Sequence, residues 1–306
     1  MVIIFKILVL ADVHGNITAA KKLVKTIQTH KESIDLILIA GDLPVTTPPL
    51  LMLKYMITHP FKALSKTNYT KWVYKGSGRP SFVDYQLNSI KEILNILALL
   101  KAPIIYTPGN VDCKEIQEVF KSWDASEVYY LESNSIELEE FQIIGCGGAE
   151  FTPKEYSNPL CDMEFPPKDF RTRLSPLFYR NNELNQDITR ILLCHEPPTF
   201  NFTSPIDQIY GGSKTITALI EEISPAIIIF GHYHEFKMLK TEEKAFYVNP
   251  GPLACYNFAL IEIIDKKIQI TLKKMKPAIF DLINLIYRYR LPSPNLEQEF
   301  RFAYEI

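Results

Sequence analysis

The sequence predicts an α/β protein, and two observations carry that expectation. Continuous apolar runs of strand length alternate with segments in which apolar residues recur every three or four positions. Short Asp, Asn and His motifs stand where those runs end, at the edge where an α/β sheet gathers its loops and helix N-termini. At roughly 150 residues per domain, a chain of 306 residues allows two domains or one large α/β unit, and either buries a sizeable core.

Residues 3–10 read as a buried strand. Ala20, Leu23, Val24 and Ile27 then recur at helical spacing, and residues 34–40 form a second apolar run, so the chain opens on a βαβ unit. The opening MVIIFKILVLA lacks a cationic start and runs straight into a polar motif, which favours a strand over a signal peptide. Residues 43–102 delay the next strand by an insertion: a Pro-rich turn, an apolar helix-like stretch, a loop at 68–80 and a helical segment near 84–100. Strand-like runs follow at 103–107, 135–146 with a break near 139, 188–194, 226–230, 245–248, 256–264 and 267–274. The stretch 150–187, rich in Pro, Asn and charge, reads as irregular loop. The early, helix-connected strands are expected to be parallel and the close-set runs after 240 antiparallel. The predicted unit spans 1–275, and 276–306 forms an aromatic-rich C-terminal extension. Its apolar residues 279–287 must be covered by the parent domain or by a homodimer seam.

Composition narrows the partners. With 33 Lys plus Arg against 35 Asp plus Glu, the net charge of −2 gives no global attraction to nucleic acid or an anionic membrane, although a local basic patch can still supply one. No apolar run reaches the roughly 18 residues needed to span a bilayer. Cysteines 113, 146, 161, 194 and 255 are odd in number, widely spaced and without a C-x-x-C pair, which predicts reduced thiols and a cytoplasmic location.

Five blocks carry the chemistry: Asp12-Val13-His14-Gly15-Asn16, Gly41-Asp42, Gly109-Asn110-Val111-Asp112, Cys194-His195-Glu196 and Gly231-His232-Tyr233-His234. Asp12 and His14 lie two apart, as do His232 and His234, so each pair projects to one side of extended backbone. Two metals with four ligands each need seven residues if one carboxylate bridges, and the blocks supply Asp12, His14, Asp42, Asn110, His195, His232 and His234. Mixed His, Asp and Asn ligation suits Mn²⁺, Fe²⁺, Zn²⁺, Ni²⁺ or Co²⁺, and the lack of a cysteine ligand argues against a purely structural zinc.

These blocks and their order resemble the calcineurin-like metallophosphoesterases, whose pattern is D-x-H, G-D, G-N-H-D/E, H and G-H-x-H. The resemblance covers residues 1–275. It implies a four-layer α/β/β/α sandwich of two mixed sheets, with a dinuclear metal site at the C-terminal edge of the strands. One cation, Mn²⁺ foremost, would be held by Asp12, His14, Asp42 and His234. The other would be held by Asp42, Asn110, His195 and His232, with Asp42 bridging and Asp42, Asn110 and His195 nearest the chemistry. The implied reaction is hydrolysis of a small phosphate ester, such as a nucleotide, by hydroxide shared between the cations and attacking phosphorus in line. Val111 stands where the family usually carries a histidine that contacts phosphate, and this resembles a phosphodiesterase subset reading G-N-C-D. Two alternatives remain open. Nuclease relatives usually keep that histidine, and scaffold relatives tend to lose metal ligands, whereas this chain keeps all seven. Asn16, Asn110 and Asn249 are the candidate substrate contacts, and Asp112 a candidate for orienting the ligand loop.

Other features have plainer readings. His30 and His59 lack ligand-like neighbours and read as solvated, Cys194 as core, 145–148 as a tight strand exit and Ser213 as a helix N-cap. Lys62, Lys66, Lys71, Lys75 and Arg79, interleaved with Tyr69, Trp72 and Tyr74, read as a solvated face with anchoring aromatics, or as a lid drawing in a phosphorylated substrate. Glycine is scarce, 12 in 306 residues against about 7% in typical proteins, so each should mark a backbone need; Gly15, Gly41, Gly109 and Gly231 all adjoin a candidate ligand.

Overall fold

The computed structural model describes residues 4–59, 66–123, 127–138, 141–151, 159, 161–179, 188–200, 212–234, 237–242, 245–265, 267–277 and 300–305. Two mixed sheets face one another. In the first, β1 (Ile4–Ala11), β2 (Leu36–Ala40), β3 (Ile104–Thr107) and β4 (Val128–Tyr130) run parallel. On the other side of β1 follow β13 (Asn257–Ile264), β14 (Lys267–Lys274) and β15 (Phe300–Glu305), each antiparallel to its neighbour. In the second sheet, β6 (Phe141–Cys146), β9 (Thr189–Cys194), β10 (Ile227–Ile229) and β12 (Ala245–Asn249) are parallel. That sheet is edged by antiparallel β5 (Ser133–Leu138) and β11 (Met238–Glu242).

The period of two along each strand sorts the apolar residues into layers. Ile7, Val9, Leu36 and Leu38 point between the sheets, against Ile143, Ile191, Leu193, Ile227 and Val248. Leu8, Leu10, Ile37 and Ile39 point the other way, onto α1 (Ile17–Thr29) and α4 (Arg79–Leu97). Ile144, Leu192 and Ile228 likewise meet α6 (Pro167–Tyr179) and α7 (Lys214–Ile223) on the outside of the second sheet. The result is an α/β/β/α sandwich. Strands buried on both faces read as unbroken apolar runs, which is why they were legible.

Several expectations need correction. The segment expected as a loop at 68–80 forms most of α3 (Lys66–Lys75), and α4 begins at Arg79 rather than near 84. Burial of Tyr69, Trp72, Val73 and Tyr74 against Leu51, Tyr55 and Phe82 stabilises these turns, and Pro80 fits the first turn of α4 because its missing N–H would be unpaired there anyway. Gly76 and Gly78 wrap Trp72: a Cβ on Gly78 would lie 2.6 Å from the indole. The 150–187 stretch is not wholly irregular. It contributes a parallel ribbon of β7 (Ala149–Glu150) and β8 (Glu164–Phe165), then α6, whose Phe170, Leu174 and Leu177 form an apolar stripe among the charges. Strands β4 and β11 were missed because they are short and half-buried, and β12 pairs parallel with β10 although it follows residue 240.

Among the smaller expectations, Ser213 caps α7 by accepting from the amides of Thr215 and Ile216. Cys194 is core, and all five cysteines are buried free thiols. His30 is exposed, whereas His59 stacks on Tyr55 at 4.7 Å between ring centres. Residues 279–287 lie outside the described residues. Among the described residues no helix is long and apolar enough to cross a membrane. The remaining helices are α2 (Pro49–Thr58), the helix-like stretch of the insertion, and the short α5 (Gln117–Lys121).

Candidate metal centre

Each block occupies the loop that leaves a parallel strand, so the parallel arrangement brings all five blocks to one edge. Backbone strain is concentrated there. Asp12, His14, Asp42 and His232 have φ of 49, 47, 52 and 70°, a left-handed conformation that costs a non-glycine residue about 1–3 kcal/mol. Backbone bonds between the loops offset part of that cost. The amides of Asp12, His14 and Gly15 donate to Gly41, Asp42 and Leu43 at 3.2, 2.9 and 3.0 Å. The Asp12 carboxylate accepts from the His232 amide at 3.1 Å, and Asp42 Oδ1 from the Val111 amide at 3.1 Å. Asp112 accepts from the Gly109 amide at 2.6 Å and from the Tyr106 hydroxyl, and so holds the third loop.

The seven candidate ligands converge in two groups that share Asp42. Ligand atoms of Asp12, His14, Asp42 and His234 all lie within 4.8 Å of one another. His14 Nε2 is 2.9 Å from His234 Nε2 and 3.8 Å from Asp42 Oδ2, and His234 Nε2 is 3.4 Å from Asp12 Oδ1. In the second group His195 Nε2 lies 3.5 Å from the same Asp42 Oδ2, 3.1 Å from Asn110 Oδ1 and 3.2 Å from His232 Nδ1. Lone pairs packed this closely repel unless a proton or a cation lies among them, and a set of carboxylate, amide and imidazole donors suits a divalent cation.

Neighbouring groups fix which atom of each ligand faces inward. His195 Nδ1 donates to the Ala40 carbonyl at 3.0 Å, leaving the Nε2 lone pair turned toward Asp42 and Asn110. Asn110 Nδ2 donates to Glu164 Oε1 at 3.1 Å, which turns Oδ1 toward His195. His232 Nε2 faces Glu196 Oε2 at 3.6 Å.

Burial, then the charge on facing imidazoles, pushes the pKa values of His14 and His232 down to about 3, so both rings are neutral at pH 7, as ligation requires. Burial raises Asp12, but His234, His195 and His14 outweigh it and hold that carboxyl below the usual range. Asp42 is pushed well above the usual range by burial and by the charge of Asp12.

Glycine is required where the loops touch. Gly41 has φ +78° and a Cβ there would collide with the His195 ring, one on Gly109 would collide with Asp42, and one on Gly231 would lie 2.6 Å from Asp12 Oδ2.

The other two asparagine candidates are placed differently. Asn16 caps α1 through Oδ1 and donates Nδ2 to the Ala254 carbonyl at 2.9 Å, so its amide is engaged at both ends. Asn249 is buried in the Asn-Pro-Gly turn, where Oδ1 accepts from the Gly251 amide at 2.8 Å. Sequence reasoning passed over Glu164, Glu196 and Gln86. Gln86 is buried, donates to the Val111 carbonyl at 2.9 Å and accepts from the Cys113 amide at 2.8 Å. Only Glu196 had a signal, its place beside His195. Val111 leans on the aromatic cluster of the insertion, and its carbonyl also accepts from the Tyr74 hydroxyl.

No curated protein matches the chain significantly in sequence. Solved structures share its fold at low identity. One crystal structure aligns over 90% of this chain and 100% of its own, with 18% identity and a TM-score of 0.63. Protein TT1561 of Thermus thermophilus aligns over 85% of this chain and 94% of its own, with 18% identity and a TM-score of 0.53. A dimetal phosphatase from Danio rerio aligns over 88% and 95%, with 10% identity and a TM-score of 0.50. The family pattern for Calcineurin-like phosphoesterase matches residues 5–236; family and Asp/His cluster together imply divalent metal ions, and the chain belongs to the calcineurin-like phosphoesterase family.

Proposed function

We propose that this protein hydrolyses small phosphate esters, phosphodiesters foremost, with two divalent cations. The observation that carries this reading is the shared carboxylate: Asp42 Oδ2 faces His14 on one side at 3.8 Å and His195 on the other at 3.5 Å. Two divalent cations held there, Mn²⁺ foremost, would supply Lewis-acid chemistry, lowering the pKa of a water from about 15.7 toward about 7 and offsetting charge on the phosphoryl oxygens. Asp12, His14 and His234 hold one position, Asn110, His195 and His232 the other, and Asp42 both. The backbone carbonyl of Ala40 and the carboxylates of Glu164 and Glu196 keep His195, Asn110 and His232 aimed inward. Asn110, His232 and His234 are half-buried, so a phosphate reaches the site from their side, with Asn110 as the protein contact nearest to it. Asn16 and Asn249 serve by shaping the loops.

Val111 offers no proton to a departing alkoxide, which favours substrates with good leaving groups. The Danio rerio relative is described as a dimetal phosphatase, in keeping with a two-cation reading. Five buried free thiols suit a reducing compartment such as the cytoplasm.

Assay of the purified chain with Mn²⁺ against bis-p-nitrophenyl phosphate, p-nitrophenyl phosphate and single-stranded DNA tests the proposal. Diester cleavage abolished by Asp42→Ala is the expected result. Metal binding without turnover of any ester would mean a scaffold, and preferential cleavage of DNA a nuclease. Replacing Val111 by His should raise monoester turnover by up to about 100-fold, the low end of what a placed general acid contributes. An unchanged rate would rule out the missing acid as the limit.

A further inference from the structure

Helix α2 is apolar on both faces, yet among the described residues only one face is covered. Leu51 and Tyr55 are buried in the aromatic cluster of the insertion, whereas Leu50, Leu53, Met56 and Ile57 are 68, 54, 45 and 71% exposed. Spaced at i, i+3, i+6 and i+7, these four line one side of the helix. An apolar helix face in water marks a binding surface.

Charge indicates what covers it. From residue 43 to residue 83 the chain has no Asp or Glu, but it carries Lys54, Lys62, Lys66, Lys71, Lys75 and Arg79, a local +6 in a protein of net −2. Arg79 and Lys75 are engaged by Asp162, and Arg79 also by Glu115. Lys54 and Lys71 are exposed. A second copy of this chain is a poor occupant, since a two-fold interface would set the same cationic segment against itself. Exposed aliphatic side chains together with the exposed Lys54 and Lys71 suit an anionic bilayer: the apolar groups enter the acyl boundary while the lysines meet the headgroups.

We propose that the insertion docks this protein on an anionic membrane surface through the outer face of α2. The same insertion reaches the catalytic edge, because Tyr74 of α3 donates to the carbonyl of Val111, next to Asn110. Nothing in this inference requires the phosphoesterase chemistry.

Co-sedimentation of the full chain with vesicles tests it. Mixed phosphatidylcholine and phosphatidylserine vesicles should pellet the protein at low salt, and phosphatidylcholine vesicles should not. A Leu53→Asp/Ile57→Asp variant should bind at least about tenfold more weakly, as two carboxylates entering an apolar layer demand. Both positions are exposed, so this variant should keep the wild-type thermal midpoint. Lys54→Glu should weaken binding at low salt and narrow the difference between low and high salt. Failure of the wild type to pellet, or equal binding by the double variant, would overturn the proposal. So would light scattering that shows a dimer dissolved by Leu53→Asp/Ile57→Asp, since that assigns the face to a second copy.

Discussion

Asp42 carries two conflicting demands. The proposed bridging role needs it ionised, yet it is buried beside Asp12, and both burial and that neighbour push its carboxyl well above the usual range. Without metal, the charge at this position works against the fold. Asp42→Asn keeps the acceptor for the Val111 amide while removing the charge. We expect its metal-free thermal midpoint to equal or exceed that of the wild type, with the rise produced by Mn²⁺ lost; a lower midpoint would show that the carboxylate stabilises the empty site. Glu164 offers a complementary test. Its contact with Asn110 spans 54 positions in sequence, within a stretch of no periodic pattern, so nothing local marked it. The seven candidate ligands were legible because short spaced motifs, adjoined by glycine in four of the five blocks, carry them. Glu164→Ala should raise the Mn²⁺ concentration for half-maximal activity by about 10–100-fold, whereas Glu164→Gln, whose carbonyl can still accept from Asn110, should recover most of that loss. Equal effects of the two substitutions would mean that Glu164 acts by its charge.

Among the elements, continuous strands and the amphipathic α1 announced themselves by periodicity; within the insertion α2 and the body of α4 were legible, while α3 and the start of α4 were not. Helix α3 has ten residues of mixed polar and aromatic character, too short a run to reveal a stripe, and it folds with α2 and the start of α4 on a local cluster of large aromatics. Trp72 is central to that cluster: its indole donates to the Ser77 hydroxyl at 3.0 Å, and its ring packs with Tyr55 at 5.2 Å and Tyr69 at 6.2 Å between centres. Trp72→Ala should therefore cost about 3–5 kcal/mol. Because the insertion has its own small core, the loss should appear as faster amide exchange in α2, α3 and the start of α4, while β1 and β9 keep their protection. Uniform loss of protection would show that the insertion and the sandwich unfold as one unit. Helix α6 was hidden for another reason. Pro167, Pro176 and four charged residues mask a stripe of only three large apolar side chains, and tertiary packing overrides the composition.

The two sheets meet across a single apolar layer, and the candidate ligands are divided between them. Asp12, Asp42 and Asn110 leave β1, β2 and β3, while His195, His232 and His234 leave β9 and β10. Metal binding at these residues would thus couple to the packing of one sheet on the other, a relation that only the assembled molecule has. Ligand linkage sets its size. A cation at about 100 times its Kd, with no affinity for the unfolded chain, adds about 2.7 kcal/mol. Leu193, buried between the sheets one position before Cys194, is the natural place to weaken their contact. Leu193→Ala should lose about 2–5 kcal/mol in denaturant unfolding and bind Mn²⁺ more weakly, since the cavity lies beneath the His195 loop. Saturating Mn²⁺ should restore about 2.7 kcal/mol of that loss, and chelation should remove it again. If Mn²⁺ affinity is unchanged while stability falls, the ligand loops hold their geometry independently of the sheet contact, and the strain at Asp12, His14, Asp42 and His232 is supported by the loops alone.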